Sequence, residues 1–125
     1  MCIEFELPFP VSVNQYYRSQ VDRRGRVYAT RSKAAKDYRK VVKQALKNFP
    51  TLTDNVHISL ILCPPDKRKR DLDNYDGKAL WDALTHAGVW LDDSQVKSRY
   101  SECGETIKGG KAFIKISRKT AKRQG

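Results

Sequence analysis

Four segments of the chain alternate between apolar and polar residues, which predicts strands that are buried on one face. They are residues 2–7, 56–63, 96–102 and 112–118. Prolines follow the first two segments and indicate where each strand ends. The run Lys-Gly-Gly at 108–110 predicts a hairpin connection between the last two strands.

Two other segments repeat apolar residues every three or four positions, the period of an amphipathic helix. The first runs from about residue 32 to 49, and lysines crowd its outer face, where solvation and DNA contact are equal alternatives. The second runs to Ala87 from Asp73 or Asn74, either of which can cap its N-terminus. Gly88 then stands where helices commonly end in a left-handed glycine.

The element order is therefore β-α-β-α-β-β, for which we expect the α+β class: a small mixed sheet with two helices packed on it. A helix between two strands favours a parallel pair with a right-handed connection, whereas the last two strands are expected to pair antiparallel. Residues 11–18 are expected to be irregular, and 21–31 predict a short hairpin or a mobile loop. The length fits one domain over 1–125, with a frayed basic tail at 119–125.

Charge adds a partner to this fold. Lys and Arg number 25 against 14 Asp and Glu, which gives a net charge of +11. Such an excess favours a polyanion, most commonly nucleic acid. We find no signal peptide, no long apolar run and no basic helix with a strong apolar face, so we expect a cytoplasmic protein that binds no membrane. The cysteines, Cys2, Cys63 and Cys103, are too few and scattered for a disulfide framework or structural zinc.

The densest chemistry lies where a run of cations passes directly into two aspartates. The cations are Lys67, Arg68, Lys69 and Arg70. Asp71 and Asp73 follow, and residues two apart in an extended backbone point the same way. Carboxylates suit Mg²⁺, which can activate water and offset charge on a phosphate. A third carboxylate from Asp92 or Asp93 would complete a phosphodiesterase site, and Lys78 could neutralise the scissile phosphate.

Each of these features also has an ordinary structural explanation. Asp73 can be only a helix cap, and Asp71 only the partner of Arg70. The sequence 92–94, Asp-Asp-Ser, is typical of a turn, and a lone lysine such as Lys78 is usually solvated. A run of cations is by itself typical of a solvated face. Their combination is what indicates a metal-dependent enzyme that acts on nucleic acid.

The stretch KRKRDLDN…KALWDALTHAGVWLDDSQV resembles the signature of the RusA family of Holliday-junction resolvases, which runs R-R-D-x-D-N, a lysine, D-A-L, a G-x-W turn and D-D-x-Q-V. The opening LPFPVSVNQYYR is also similar to that of the family, so the resemblance covers nearly the whole chain. It implies a homodimeric crossover junction endodeoxyribonuclease, bacterial or phage-encoded, that makes paired nicks in four-way DNA. The implied cofactor is Mg²⁺, with Mn²⁺ as a substitute and no small-molecule cofactor.

The resemblance assigns roles by position. It implies three metal ligands, Asp71, Asp73 and Asp93, and one important lysine, Lys78, and it places an arginine, Arg70, before the first aspartate. The cations themselves suit a phosphate backbone, so we expect all four to bind DNA: Lys67, Arg68, Lys69 and Arg70. One departure concerns the lysine, because Lys78 follows Asn74 one residue later than in the family pattern. The pair Asp76-Gly77 is therefore interpreted as a one-residue expansion before the helix.

Two other functions stay open, a nuclease for flaps or other branched DNA and a non-catalytic basic nucleic-acid-binding module. Reach adds an expectation about the dimer. A helix over 74–87 spans about 21 Å, and the six residues from its end to Asp93 cover at most ~20 Å. A return to Asp73 within one subunit would need an almost straight path, so the sequence predicts that Asp93 joins Asp71 and Asp73 of the other subunit.

Overall fold

The elements of the chain confirm the α+β class. A computed structural model describes residues 2–75 and 77–118, without the side chains at positions 13, 14, 17, 18 and 73. Asp76 and the predicted tail at 119–125 lie outside the described residues. The elements are β1 (Cys2–Leu7), α1 (Val13–Tyr16), β2 (Tyr17–Val21), β3 (Val27–Arg31), α2 (Lys33–Ala45), β4 (Val56–Cys63), α3 (Lys78–His86), β5 (Val96–Cys103) and β6 (Lys111–Arg118), with 3₁₀ turns at Leu72–Asn74 and Asp93–Gln95.

The main sheet has the strand order β1-β6-β4-β5, and its one parallel pair in the described chain is β4 with β5. Two predictions about pairing are therefore wrong: β5 and β6 do not form a hairpin, and β1 is not next to β4. The reason lies in burial, because β4 and β6 each bury a full apolar face and occupy the centre. The more exposed β1 and β5 form the edges.

Both long helices cover one face of the main sheet. The core that they enclose joins alternate residues of β4 and β6 to Tyr38 and Val42 of α2 and to Leu80 and Leu84 of α3. Ser32 caps α2 by accepting a hydrogen bond from the Ala35 amide at 3.1 Å. No helix of the described chain is long and apolar enough to span a membrane.

The start of α3 differs from the prediction. Neither Asp73 nor Asn74 caps it, since the helix begins at Lys78 with Gly77 in the N-cap position. The chain first closes a 3₁₀ turn, in which the Asn74 amide donates to the Asp71 carbonyl at 3.0 Å. The local hydrogen bonds of this turn therefore replace the first predicted turn of the helix. The C-terminus agrees with the prediction, because Gly88 adopts a φ of 80° just beyond it.

Strands β2 and β3 form a two-stranded sheet of their own, which we call the ribbon (residues 17–31). The alternative of a short hairpin is thus confirmed for this stretch, and strand β2 begins inside the segment that was predicted to be irregular. Gly25, with φ of 80°, supplies the left-handed residue that the tight turn needs. The Asp22 carboxylate accepts hydrogen bonds from the Arg24 and Arg26 amides, both at 2.9 Å, and stiffens the tip.

Candidate functional site

An arginine stabilises the loop that follows β4, through hydrogen bonds to other residues of the same loop. Nη1 of Arg70 donates to the Asp66 carboxylate at 2.8 Å and to the carbonyls of Asp66 and Arg68 at 3.2 and 3.3 Å. The Arg70 guanidinium also lies 5.9 Å from the centre of the Phe9 ring. The hydrogen bond from Arg70 holds the pKa of Asp66 well below its usual range. Arg70, with 12% of its side chain exposed, therefore stabilises the conformation of the loop.

The other cations of this loop and Asp71 face outward. Lys67, Arg68 and Lys69 are exposed, as is Asp71. Within the described chain the ion pair of Arg70 is made with Asp66, so Asp71 is not simply the partner of Arg70. Three exposed cations therefore lie close in the chain to an exposed carboxylate, and their binding of DNA stays a prediction. The backbone of Asp73 lies in the following 3₁₀ turn, and the joining of its carboxylate with that of Asp71 stays a prediction.

The turn before β5 distinguishes two neighbouring aspartates. Asp92 caps the 3₁₀ turn: its carboxylate accepts from the Ser94 hydroxyl and from the backbone of Gln95. The hydrogen bond from Ser94 lowers the pKa of Asp92. The buried Gln95 amide fixes the turn to the body by donating to the carbonyls of Leu52 and Asp54 at 3.0 and 2.9 Å. Asp93, in contrast, is exposed and lines a cleft.

This cleft runs between one face of α3 and the start of β5. Its walls are Gly77, Lys78, Trp81, Asp82, Thr85, Asp93 and Arg99. Lys78 and Asp93, which the sequence selected separately, thus line one space. Arg99 is a residue that the sequence analysis missed, and its guanidinium lies 5.2 Å from the centre of the Trp81 ring. Strand alternation gave no signal for Arg99, because its role depends on the helix packed beside it.

Asp82, the aspartate of the D-A-L step in the signature stretch, lies on the wall of the cleft and joins three other elements to α3, a role that the sequence did not assign to it. Its carboxylate accepts from the Tyr16 hydroxyl at 2.5 Å and from Arg31 Nε at 3.1 Å, and forms an ion pair with Arg39 at 3.4 Å. Burial would raise the pKa of Asp82, but the hydrogen bonds from Tyr16 and Arg31 and the nearby charges outweigh it and lower the pKa. Asp82 therefore ties α3 to α1, α2 and the base of the ribbon.

Replacing Asp82 by Asn is expected to lower the free energy of unfolding at pH 7 by about 1–3 kcal/mol, because two arginines lose their anion. The pKa of Asp82 is depressed in the fold, so its stabilisation is present above the unfolded pKa near 4 and is lost as pH falls through the lower folded value. The difference between wild type and variant should therefore shrink below about pH 4. Urea unfolding at a series of pH values measures it.

The matched control is Asp37→Asn, which removes a carboxylate from an exposed pair with Lys33 at 2.9 Å. Its free energy of unfolding should stay close to that of wild type, because exposed ion pairs contribute little. Equal unfolding free energies for wild type and the Asp82→Asn variant at pH 7 would contradict the role of Asp82.

Comparison with known proteins decides the family. The family model described as Endodeoxyribonuclease RusA matches residues 8–117. This chain belongs to the RusA family. The crossover junction endodeoxyribonuclease RusA of Escherichia coli K12 is 40% identical over 114 residues, covering 89% of this chain and 90% of that protein. Its counterpart from Enterobacteria phage HK97 is 38% identical over 117 residues, covering 91% and 92%.

These matches confirm the resemblance drawn from the signature stretch. RusA relatives occur in bacteria and in phages, since the counterpart from Enterobacteria phage 82 is also 40% identical over 114 residues. Membership of an endodeoxyribonuclease family implies a divalent metal in general, without naming the ion. Exposed carboxylates at positions 71 and 93 are hard oxygen donors of the kind that such an ion takes.

The exposed carboxylates of Asp71 and Asp93, two of the three predicted metal ligands, lie at opposite ends of the parallel strand pair. Asp71 shares a small pocket with Leu62 and Cys103, which are register partners at the C-terminal ends of β4 and β5. Asp93 precedes Val96, the partner of Val56 at the other end. Six residues of strand between these two levels cover about 20 Å. Among the described side chains, accordingly, no three acidic, His or Cys groups converge on one point.

Proposed function

We propose that this RusA-family protein is a Mg²⁺-dependent, structure-selective endonuclease that resolves four-way DNA junctions by paired nicks. The observation that carries the proposal is 40% identity, over about nine-tenths of both chains, to proteins named crossover junction endodeoxyribonucleases. The net charge of +11 fits a DNA substrate, and bacterial and phage relatives fit work in the cytoplasm, where that DNA lies. No small-molecule cofactor is needed for phosphodiester hydrolysis.

In this proposal Asp71, Asp73 and Asp93 hold the ion. Two observations support this choice of residues: Asp71 is exposed next to the cation run, and Asp93 is exposed to the cleft while its neighbour Asp92 is occupied by capping. When bound, Mg²⁺ would lower the pKa of a water molecule and place a positive charge beside the phosphate. Mn²⁺ prefers similar oxygen ligands, so it can substitute for Mg²⁺.

The cations of the chain take the remaining roles. Lys78 opens α3 on the wall of the cleft that Asp93 also lines, so its ammonium can offset charge on the scissile phosphate. Lys67, Arg68 and Lys69 hold the DNA backbone from their exposed loop. Arg70 contributes differently from its three neighbours, because its contacts with Asp66 keep that loop in position.

We further propose that the protein is a homodimer in which each metal site takes Asp71 and Asp73 from one subunit and Asp93 from its partner. The separation of about 20 Å between the two ends of the β4–β5 pair supports this, since ligands of one Mg²⁺ must all lie about 2.1 Å from the ion. A two-fold axis would generate two equal sites, as paired nicks require. Helix α3, at Lys78–His86, is shorter than the helix over 74–87 that the sequence predicts, so the separation follows from the sheet register and not from the helix length.

Labelled four-way junction, flap and linear duplex, each incubated with the pure protein with and without Mg²⁺, test the function. We expect nicks at two symmetrical positions of the junction, only with the metal, and intact duplex. Equal cutting of the flap would favour the broader branched-DNA nuclease. Junction binding without cleavage, in Mg²⁺ and also in Mn²⁺, would instead favour the non-catalytic module. Replacing all three aspartates would then leave DNA binding unchanged.

A further inference from the structure

The ribbon (residues 17–31) is the part of the molecule that the candidate site does not explain. Its two strands pair only with each other in the described chain, outside the four-stranded sheet. A two-stranded hairpin alone is marginally stable in water. The ribbon is nevertheless well formed, because contacts at its two ends hold it.

The base of the ribbon is fixed to the body beside the candidate site. Arg31, the last residue of β3, donates to Asp82, and Asp82 lines the same cleft as Lys78 and Asp93. The Ser32 hydroxyl donates to the Gln15 carbonyl at 2.5 Å, just before the ribbon begins. The base of the ribbon is therefore anchored next to the cleft, and the tip projects away from this anchor.

Exposed apolar side chains cluster at the tip of the ribbon. Val21 and Val27 are 65% and 69% exposed, and Tyr28 is 49% exposed. Val21 and Val27 are directly opposite each other, so they share one face, whereas Tyr28 is opposite Gln20 and occupies the other face. The tip thus presents apolar groups on both faces of a thin ribbon, which is the shape of a wedge.

Arginines lie next to these apolar side chains at the tip of the ribbon. Arg23, Arg24 and Arg26 form the turn and are exposed, and the one carboxylate among them, that of Asp22, is occupied by the amides of the turn and by Arg26. A surface with this charge excess complements phosphates. DNA grooves admit a two-stranded β-ribbon, and apolar side chains of DNA-binding proteins insert between base steps.

We propose that the ribbon binds DNA at the branch point of the junction, with Arg23 and Arg24 on phosphates and with Val21, Val27 and Tyr28 against bases exposed there. This inference rests on the junction-cleaving function. Bases inside a continuous duplex are covered by their stacking neighbours, whereas a branch point interrupts stacking and offers base faces to apolar groups. The ribbon would accordingly discriminate branched from linear DNA, and Asp82 would couple it to the cleft.

Fluorescence of 2-aminopurine placed at the branch point tests the apolar contact. With EDTA present to prevent cleavage, we compare wild type, Val21→Ser/Val27→Ser and Tyr28→Ser on the junction and on a linear duplex of equal length. Both variants should lose the wild-type change in fluorescence. Their junction affinity should fall on the order of 10-fold with little change on duplex, because the Tyr28 variant loses base–aromatic stacking and the valine variant loses apolar contact with base steps.

The control is Val41→Ser, since Val41 is 47% exposed on α2, away from the ribbon. It should behave as wild type in every assay. Wild-type fluorescence and affinity in both ribbon variants would overturn the proposal. So would conversion of the Val21→Ser/Val27→Ser protein to a monomer in sedimentation, because a second copy of the chain would then be what covers these side chains.

A charge pair tests the phosphate contact separately. Replacing Arg23 and Arg24 by Ala should reduce the salt dependence of junction binding by a slope of up to about 1.8. Replacing Lys108 and Lys115, which are exposed and belong to neither the ribbon nor the lysine-rich face of α2, removes equal charge as a control. Equal effects of the two pairs would reduce the result to net charge and overturn the assignment. Nicking by wild type in Mg²⁺ is scored apart from binding, so failure of the ribbon proposal and failure of the nuclease function give different results.

Discussion

An Asp93→Asn protein is expected to bind the four-way junction as tightly as wild type, or more tightly, and to nick it at least about 100-fold more slowly. Residues that only orient a metal ligand cost about 10–100-fold when replaced, and a ligand itself should cost no less. Binding survives because the change removes one negative charge near DNA. Single-turnover nicking and a gel-shift assay of affinity measure the two effects, and Asp71→Asn and Asp73→Asn should behave in the same way.

Asp92→Asn is the matched control, with the same chemical change one residue away. The Asp92 carboxylate caps a 3₁₀ turn, so we expect a small loss of stability and a nicking rate close to wild type. The opposite pattern, with cleavage lost in the Asp92 variant and kept in the Asp93 variant, would remove Asp93 from the site. Wild-type nicking by Asp73→Asn in Mg²⁺ would equally remove Asp73.

Junction affinity should fall by about 10³–10⁵-fold between about 50 and 200 mM salt, if six to ten phosphates are contacted. The physical cause is that each bound cation releases a condensed counterion. Replacing Lys67, Arg68 and Lys69 together by Ala should lower the slope of log affinity against log salt by about 2.7. Filter binding at four or five salt concentrations measures it, and an unaltered slope would show that these cations do not touch the DNA backbone.

Arg70→Ala provides a contrast within the same run of four cations. Arg70 lies largely buried against Asp66 and Phe9, so its loss should disorder the loop and reduce nicking as well as binding. The salt slope should change by no more than about 1, the share of a single contact. A pure slope change with full nicking would indicate that Arg70 is simply another phosphate contact.

The sequence predicted individual strands and helices better than it predicted which strands pair with each other. The alternation of Val56–Cys63 is local and marks a central strand whatever lies beside it. Pairing is not local: β6 enters between β1 and β4 because its buried Ala112, Ile114 and Ile116 complete the core. No hydrophobic pattern within one segment distinguishes that order from a hairpin of the last two strands.

The same distinction applies to the candidate site. Residue types and spacing selected Lys78 and Asp93, which line one cleft, and the family signature placed the choice on Asp93. The physical reason for preferring Asp93 to Asp92 is a capping interaction with Gln95, which depends on how the turn folds. The contacts of Arg99 and Asp82 could not be predicted from the sequence, since they are made with side chains distant along the chain, although Asp82 is the aspartate of the D-A-L step in the signature.

Mixing two inactive proteins tests the shared metal site most directly. Subunits carrying Asp73→Asn and subunits carrying Asp93→Asn are unfolded and refolded together, and nicking of the junction in Mg²⁺ is measured. If each site takes ligands from both subunits, a mixed dimer has one site with both defects and one intact site, so nicking of single strands should return. If each site lies within one subunit, every site in the mixture is damaged, and the absence of nicking despite formation of mixed dimers would contradict the account.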